Sequence, residues 1–252
     1  MVKRDDIIAY LAEFLGVEEV KDSCPNGLQV EGREEVTRII TSVSASKELF
    51  RRAAEAKADM VIVHHGILWN GQNPVIKGSF RKRIKRLLQD ELTLLAYHLP
   101  LDRHPSIGNN YLAAQGLGLT QIRPFGKYKG QLIGFCGVLP QALPADAFFE
   151  KVNEFYATQS LVFPFGPKEV KSVGIISGGA QEDIYEAIDE KLDAYITGEV
   201  SEYVMHVALE SGLHFVSAGH YATERLGIRA LTAHLAGTFD AAVEYIDIPV
   251  PV

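Results

Sequence analysis

From residue 36 onward the chain alternates short apolar runs with stretches of helical period. TRIITSVSA (37–45) is a β-branched run that predicts a strand. SKELFRRAAEAK (46–57) spaces its apolar residues for a helix, with Ser46 placed to cap it. DMVIVHH (59–65) predicts the next strand, FRKRIKRLLQD (80–90) a helix and LTLLAYH (92–98) a third strand. Runs that are apolar throughout suit strands covered on both faces, so this half is expected to be a wound βαβαβ unit. Between about 121 and 168 the texture changes: QLIGFCGVL predicts a strand, PADAFFEKVNEFY a helix opened by Pro144, and FPFGP a turn. A boundary is expected near residue 125. It gives a first α/β domain over 1–125 and a second over 126–252, whose C-terminal segment is a candidate to pack back on the first.

The first pattern then returns. VKSVGIISGGAQEDIYEAIDEKLDAYITGE (170–199) lies on VTRIITSVSASKELFRRAAEAKADMVIVHH (36–65) without a gap, matching Glu48 to Glu182, Lys57 to Lys191 and Asp59 to Asp193. Any two βαβ units share this outline, so an internal repeat and a generic likeness both fit. In this register His64 and His65 fall opposite Gly198 and Glu199. Both pairs follow the carboxyl end of a strand, the edge at which open α/β sheets bind ligands. The predicted fold class is α/β, with two similar, interlinked domains.

The chain has 252 residues, 47% of them hydrophobic, enough for one large core or two modest ones. A formal charge of -7 argues against general affinity for nucleic acid or anionic membrane. The basic run RKRIKR (81–86) leaves a local patch for nucleotide phosphates or a single strand, although its spacing also fits a solvated face around Ile84 and Leu87. No apolar run approaches the roughly 20 residues that span a bilayer. Acids interrupt MVKRDDIIAYLAEF where a signal peptide needs an apolar core, so a cytoplasmic location is expected. Cys24 and Cys136 are the only cysteines and lack CxxC spacing; both are expected to be reduced and structural.

Chemistry concentrates in three segments. VIVHHG (61–66) places two histidines at a strand end; because successive strand side chains point to opposite faces, His64 and His65 are expected to hold separate atoms. AYHLPLD (96–102) ends a strand at His98, and Pro100 argues for a loop before Asp102. SAGHYATERLGIRAL (217–231) runs from a strand into a helix that sets His220 and Glu224 one turn apart, a spacing that suits a chelate. Imidazoles and carboxylates together suit zinc, iron, manganese or nickel. Divergent histidines argue for two ions roughly 3.5–4 Å apart bridged by a carboxylate. A lone strand-end histidine is more often a hydrogen-bonded structural residue; three convergent segments weigh against that reading here. His98 is a candidate proton shuttle or an orienting partner of Asp102. Glu199, in ITGEVSE, is a candidate acid or base, or an acid favoured by a helix N-terminus. SGGA (177–180) reads as a glycine-rich turn without the lysine and spacing of a P-loop. Trp69 either stacks on a base or packs as a loop aromatic.

PNGLQVEG (25–32), VIVHHG, YHLPLD, GNN (108–110), ITGEVSE and GHYATE (219–224), in this order, resemble the Nif-three-like family of GTP cyclohydrolase type 2 homologues, in particular its YbgI-like bacterial branch. The similarity covers nearly the whole chain and is weakest over about 120–165. The resemblance implies a dinuclear metal site between two α/β domains at the strand carboxyl ends, with two divalent ions per subunit, in a toroidal homohexamer. It matches His65 and Asp102 to ligands of one ion, His64 and His220 to ligands of the other, and Glu224 to the bridge. CPN at 24–26 stands where many members have a plainer Asp-Asn-Ser-Gly turn. Two function classes follow: a metal-dependent hydrolase of a nucleotide or related heterocycle, and a non-catalytic metal-binding scaffold. A hydrolase requires an open coordination position and a pocket for the heterocycle; a scaffold requires neither.

Overall fold

The computed structural model describes residues 1–252, and the first unit comprises Met1–Leu101 with Gly227–Pro249. Its five-stranded sheet has the order Ala242–Tyr245, Arg38–Ser44, Met60–His65, Thr93–Ala96, Gly27–Val30; the first four strands are parallel and the last antiparallel. The three expected strands are all present. Val61, Ile62 and Val63 are fully buried, as are Leu94, Leu95 and Ala96, which is why these runs show no polar alternation. Helix Lys47–Glu55 begins where predicted: the Leu49 N–H donates to Ser46 Oγ at 3.1 Å, a cap that contributes about 1 kcal/mol. Helix Gly78–Gln89 buries Leu87 and leaves Arg81, Lys82 and Lys85 in solvent. Cys24 and Cys136 are both buried and unbridged, and burial pushes the Cys24 thiol up to about 12, so neither is poised to react.

The second unit, Asp102–Leu226 with Val250–Val252, is built on a six-stranded sheet. Its order is Thr120–Tyr128, Gln131–Pro144, Glu169–Ile175, Ala194–Thr197, His214–Ser217, Leu161–Pro164. The three strands from Glu169 to Ser217 in this order are parallel, and antiparallel strands flank them on either side. The boundary expected near residue 125 falls inside strand Thr120–Tyr128, and the units divide before Asp102. The change of texture there marks a passage to antiparallel pairing within one sheet, not a linker. Part of the expected FPFGP turn is strand as well: Phe163 and Pro164 lie on an edge, where the missing proline N–H is tolerated. No helix is long and apolar enough to cross a membrane.

The repeat is structural. In the first unit Ile39 pairs with Met60, and in the second Val173 pairs with Ala194, the same register in the aligned copies. Lys57 and Lys191 both adopt left-handed backbone, with φ of 55° and 54°. Asp59 Oδ2 accepts from the Thr37 and Arg38 N–H groups at 2.8 and 3.1 Å; Asp193 Oδ2 accepts from those of Lys171 and Ser172 at 2.9 and 2.7 Å. Each aspartate thus ties the start of its own strand to the start of the preceding one. A generic βαβ unit requires neither device.

One acid of the second unit carries an electrostatic penalty. Burial pushes the Asp183 carboxyl up to about 6, and the neighbouring Glu186 and Glu182 charges add to the rise. Because this value lies above that of the unfolded chain, the folded state holds the proton more tightly, and stability present below about pH 4 is lost as pH rises through 6. Asp183→Asn is therefore expected to raise stability at pH 8 by roughly 2 kcal/mol and to leave it unchanged at pH 4, compared by denaturant unfolding at the two pH values.

Candidate metal centre

In the first unit the histidines gather at the carboxyl edge of the parallel strands. His64 and His65 end strand Met60–His65, and His98 follows strand Thr93–Ala96 by two residues. Strand alternation was expected to carry His64 and His65 apart. At the strand's end it does not: their ring centroids are 4.6 Å apart, and one ligating atom from each of His64, His65 and His98 lies within 4.8 Å of the others. Alternation describes the strand interior, whereas here the chain turns away at Gly66. The spacing of the two histidines therefore no longer requires an ion for each.

Each imidazole is oriented through Nδ1. His64 Nδ1 donates to the Tyr97 carbonyl at 3.0 Å, His65 Nδ1 is hydrogen-bonded to Ser44 Oγ at 3.0 Å, and His98 Nδ1 donates to Asp22 Oδ1 at 2.9 Å. A partner on Nδ1 fixes tautomer and ring plane and makes Nε2 the atom available to a metal. Asp22 also accepts from the Leu99 and Cys24 N–H groups and from Asn26 Nδ2. Burial works to raise its carboxyl, but the His98 bond, with those from Asn26 and Cys24, outweighs burial and holds it well below the usual carboxylate range. Asp22 was not legible in the sequence, since its partner His98 is 76 residues away.

Residues Leu99–Asp102 form one helical turn where Pro100 predicted a loop. The Leu99 N–H donates to Asp22 Oδ2 at 3.0 Å, and Pro100 falls in the first turn, where a missing N–H has no partner to lose. Sequence reasoning weighed His98 as an orienting partner of Asp102; the residue that orients His98 is Asp22.

In the second unit Asp102 is buried, and its Oδ1 accepts from Asn109 Nδ2 at 2.8 Å and Ser177 Oγ at 2.9 Å. His220 opens helix His220–Thr238, and its Nε2 lies 3.0 Å from Oε2 of the buried Glu224, the one-turn chelate spacing that was predicted. His220 Nδ1 donates to Glu199 Oε1 at 2.6 Å. Glu199 is thus the carboxylate that orients His220. It does not serve as a helix N-terminal acid, because the next helix starts at Val204. Burial alone would lower the His220 imidazole, but Glu224 and Glu199 outweigh it and raise it to about 9.

The SGGA turn closes around this pair. Gly178 has φ +70°, and a Cβ there would lie 2.2 Å from Glu224 Oε1 and 3.2 Å from His220 Nε2; a Cβ on Gly198 would lie 2.6 Å from the His220 Cα. Gly178 thus leaves room for the Glu224 and His220 side chains, and Gly198 for the backbone at His220. The turn is a cradle for a carboxylate of this chain.

Comparison with known proteins gives a consistent picture. The model of the family Duf34/NIF3 (NGG1p interacting factor 3) matches residues 2–251. A GTP cyclohydrolase 1 type 2 homolog of Pseudomonas aeruginosa is 42% identical, the match covering 94% of both chains, and one of Escherichia coli (strain K12) is 42% identical over 99% of this chain and 100% of the other. The solved structure of protein ybgI, of unknown function, superposes with a TM-score of 0.93 at 42% identity, covering 100% of each chain. Reduced HcgD from Methanocaldococcus jannaschii shares the fold, with a TM-score of 0.85 at 24% identity over 98% of each chain. The chain belongs to the Duf34/NIF3 family.

Proposed function

We propose that the chain is a metal-dependent hydrolase of a nucleotide or related heterocycle, holding two divalent ions through His64, His65, Asp102, His220 and Glu224. The observation that carries this reading is the set of Nδ1 anchors: His64, His65 and His220 each commit Nδ1 to Tyr97, Ser44 or Glu199, the partner that fixes the ring plane of a histidine coordinating through Nε2. The buried Glu224 carboxylate suits the bridging role that the resemblance implies, and the number of ions rests on that role. The proposal carries the set of five ligands rather than the assignment of each histidine to an ion.

Bound divalent ions supply Lewis acidity, bringing the pKa of water toward neutrality and polarising the group attacked. The protein's own part is orientation and proton handling. Tyr97, Ser44 and Glu199 hold the imidazole planes. Ser177 and Asn109 hold Asp102. His98, fixed by Asp22 within ligand distance of His64 and His65, is the group placed to take or return a proton, and Glu199 acts as the positioning residue of His220. Assembly as a homohexamer belongs to the same proposal. Zinc, iron, manganese and nickel all accept this donor set.

The test is turnover of a nucleotide panel that includes GTP by metal-reconstituted protein, with His64→Ala and His65→Ala in parallel. Turnover is expected to fall to background in both variants. Full turnover in either removes its histidine from the site, and bound metal with no turnover of any nucleotide moves the reading to a scaffold.

A further inference from the structure

The segment after the paired histidines and helix Gly78–Gln89 enclose a pocket of about 330 Å³ within the first unit. Its walls are apolar and aromatic, principally Trp69, Ile76, Phe80 and Ile84, and no charged side chain lines it. The volume lies at the small end of ligand sites, enough for one aromatic side chain and the backbone that carries it. The apolar surface does not stop at the mouth. Val75 and Ile76 are each 55% exposed, and Leu88, one turn beyond Ile84 on the same helix row, is 58% exposed. A ligand confined to the pocket would leave that surface in water, whereas a chain crossing the mouth would cover it.

Two further observations describe that chain. The Trp69 N–H donates to Gln72 Oε1 at 3.1 Å and the Val75 N–H to Asn73 Oδ1 at 3.0 Å. With their oxygens engaged, both rim amides present amino groups, donors for the carbonyls of an extended backbone. Alongside the apolar row the helix carries a basic one. Arg81 and Lys85 stand three residues before Ile84 and Leu88 respectively, about 5–6 Å away at Cβ, and both are exposed. Neither lines the pocket, and neither is paired with an acid of the chain; the ion pair of this helix is Arg86 with Asp90. Unpaired cations beside an uncharged pocket complement carboxylates that flank an apolar anchor. The exposed aliphatic side chains have no counterpart on a sugar–phosphate backbone, and a second copy laid face to face would set one basic row against the other.

We infer that this face of the first unit binds an acidic peptide segment of a partner protein, with one aromatic side chain seated between Trp69 and Phe80 and its flanking carboxylates on Arg81 and Lys85. The inference is independent of the proposed hydrolysis and gives a use for the basic run that the metal ligands leave unexplained.

Trp69 is the protein's single tryptophan, so its emission reports this pocket. The intact protein is titrated at low salt with the acetylated, amidated peptide Asp-Glu-Phe-Glu-Asp, and with versions carrying Ala for Phe or Lys for every acid. Expected are a saturable change in emission with the acidic Phe peptide, weakened by added salt, and little response to the other two. Ile76→Ser, a change at an exposed wall residue, is expected to weaken the acidic peptide severalfold. Arg81→Glu combined with Lys85→Glu, both surface changes, is expected to reverse the preference, so that the Lys peptide binds more tightly than the acidic one. The inference is overturned by absence of a saturable change with the acidic Phe peptide, by an equal response to the Ala peptide, or by an unreversed preference in the double variant. An oligonucleotide that binds more tightly than the acidic peptide, or a changed sedimentation coefficient in the double variant, also overturns it and assigns the face to nucleic acid or to a second copy.

Discussion

Replacing Glu224 with Gln is expected to strip or halve the bound metal while the fold is retained. Glutamine matches glutamate in shape, so the buried side chain keeps its packing in helix His220–Thr238, 2% exposed. What it loses is charge and one donor. An amide offers a single neutral oxygen and cannot bridge two cations, and its amino group would face His220 Nε2, which lies 3.0 Å from the present carboxylate. Removing a partner that merely orients a ligand lowers metal affinity by about 10–100-fold, so losing the ligand itself is expected to exceed that range. Elemental analysis after reconstitution and far-UV circular dichroism check the two halves of the expectation. Full metal occupancy in a folded variant would falsify the assignment of Glu224.

Gly178→Ala is expected to produce a related loss without touching any ligand. The added methyl enters a backbone at φ +70°, which costs an L-residue roughly 1–2 kcal/mol, and its ideal position is 2.2 Å from Glu224 Oε1, where one of the two must move. The carboxylate is the mobile partner, so metal affinity is expected to fall by about 10–100-fold along with stability. Gly179→Ala is the internal control. A Cβ there meets Glu199 Oε2 at 3.5 Å, an ordinary contact, and its backbone is not left-handed, so stability should change by less than about 0.5 kcal/mol. Metal titration and denaturant unfolding of the two variants side by side decide the matter; equal behaviour would show that the turn's glycines do not shape the carboxylate's position.

The elements around the site were legible wherever one local rule governed them. VIVHH and LTLLAYH read as strands because burial on both faces leaves an unbroken apolar run, and Ser46 read as a cap because a cap is a local bond. His220 and Glu224 read as a pair because a helix fixes their spacing. What was missed, Asp22 itself, the partner of Glu199 and the closeness of the two histidines, acts over distance or at the limits of a rule. Asp22 reaches His98 across 76 positions and Glu199 reaches His220 across 21. His64 and His65 come together because alternation lapses where a strand stops. The boundary near residue 125 was misplaced because the hairpin of Thr120–Tyr128 with Gln131–Pro144 changes the texture of the sequence without leaving its sheet. The repeat was visible as a pattern, but the use of Asp59 and Asp193 as clamps required coordinates.

The first unit is interrupted in the chain: Asp102–Leu226 separates its two segments, and strand Ala242–Tyr245, at the edge of its sheet, comes from the later one. On the ribosome the amino-terminal part emerges first. Until residues 242–245 arrive, strand Arg38–Ser44 presents one side of its ladder unpaired, an open edge on which other chains can template. The second unit suffers no such delay in its sheet, whose strands all lie within 120–217. The order of synthesis therefore completes the sheet behind His220 before the sheet that ends in His64 and His65, and places the nascent chain's period of greatest exposure to misassociation at the strand whose Ser44 orients His65.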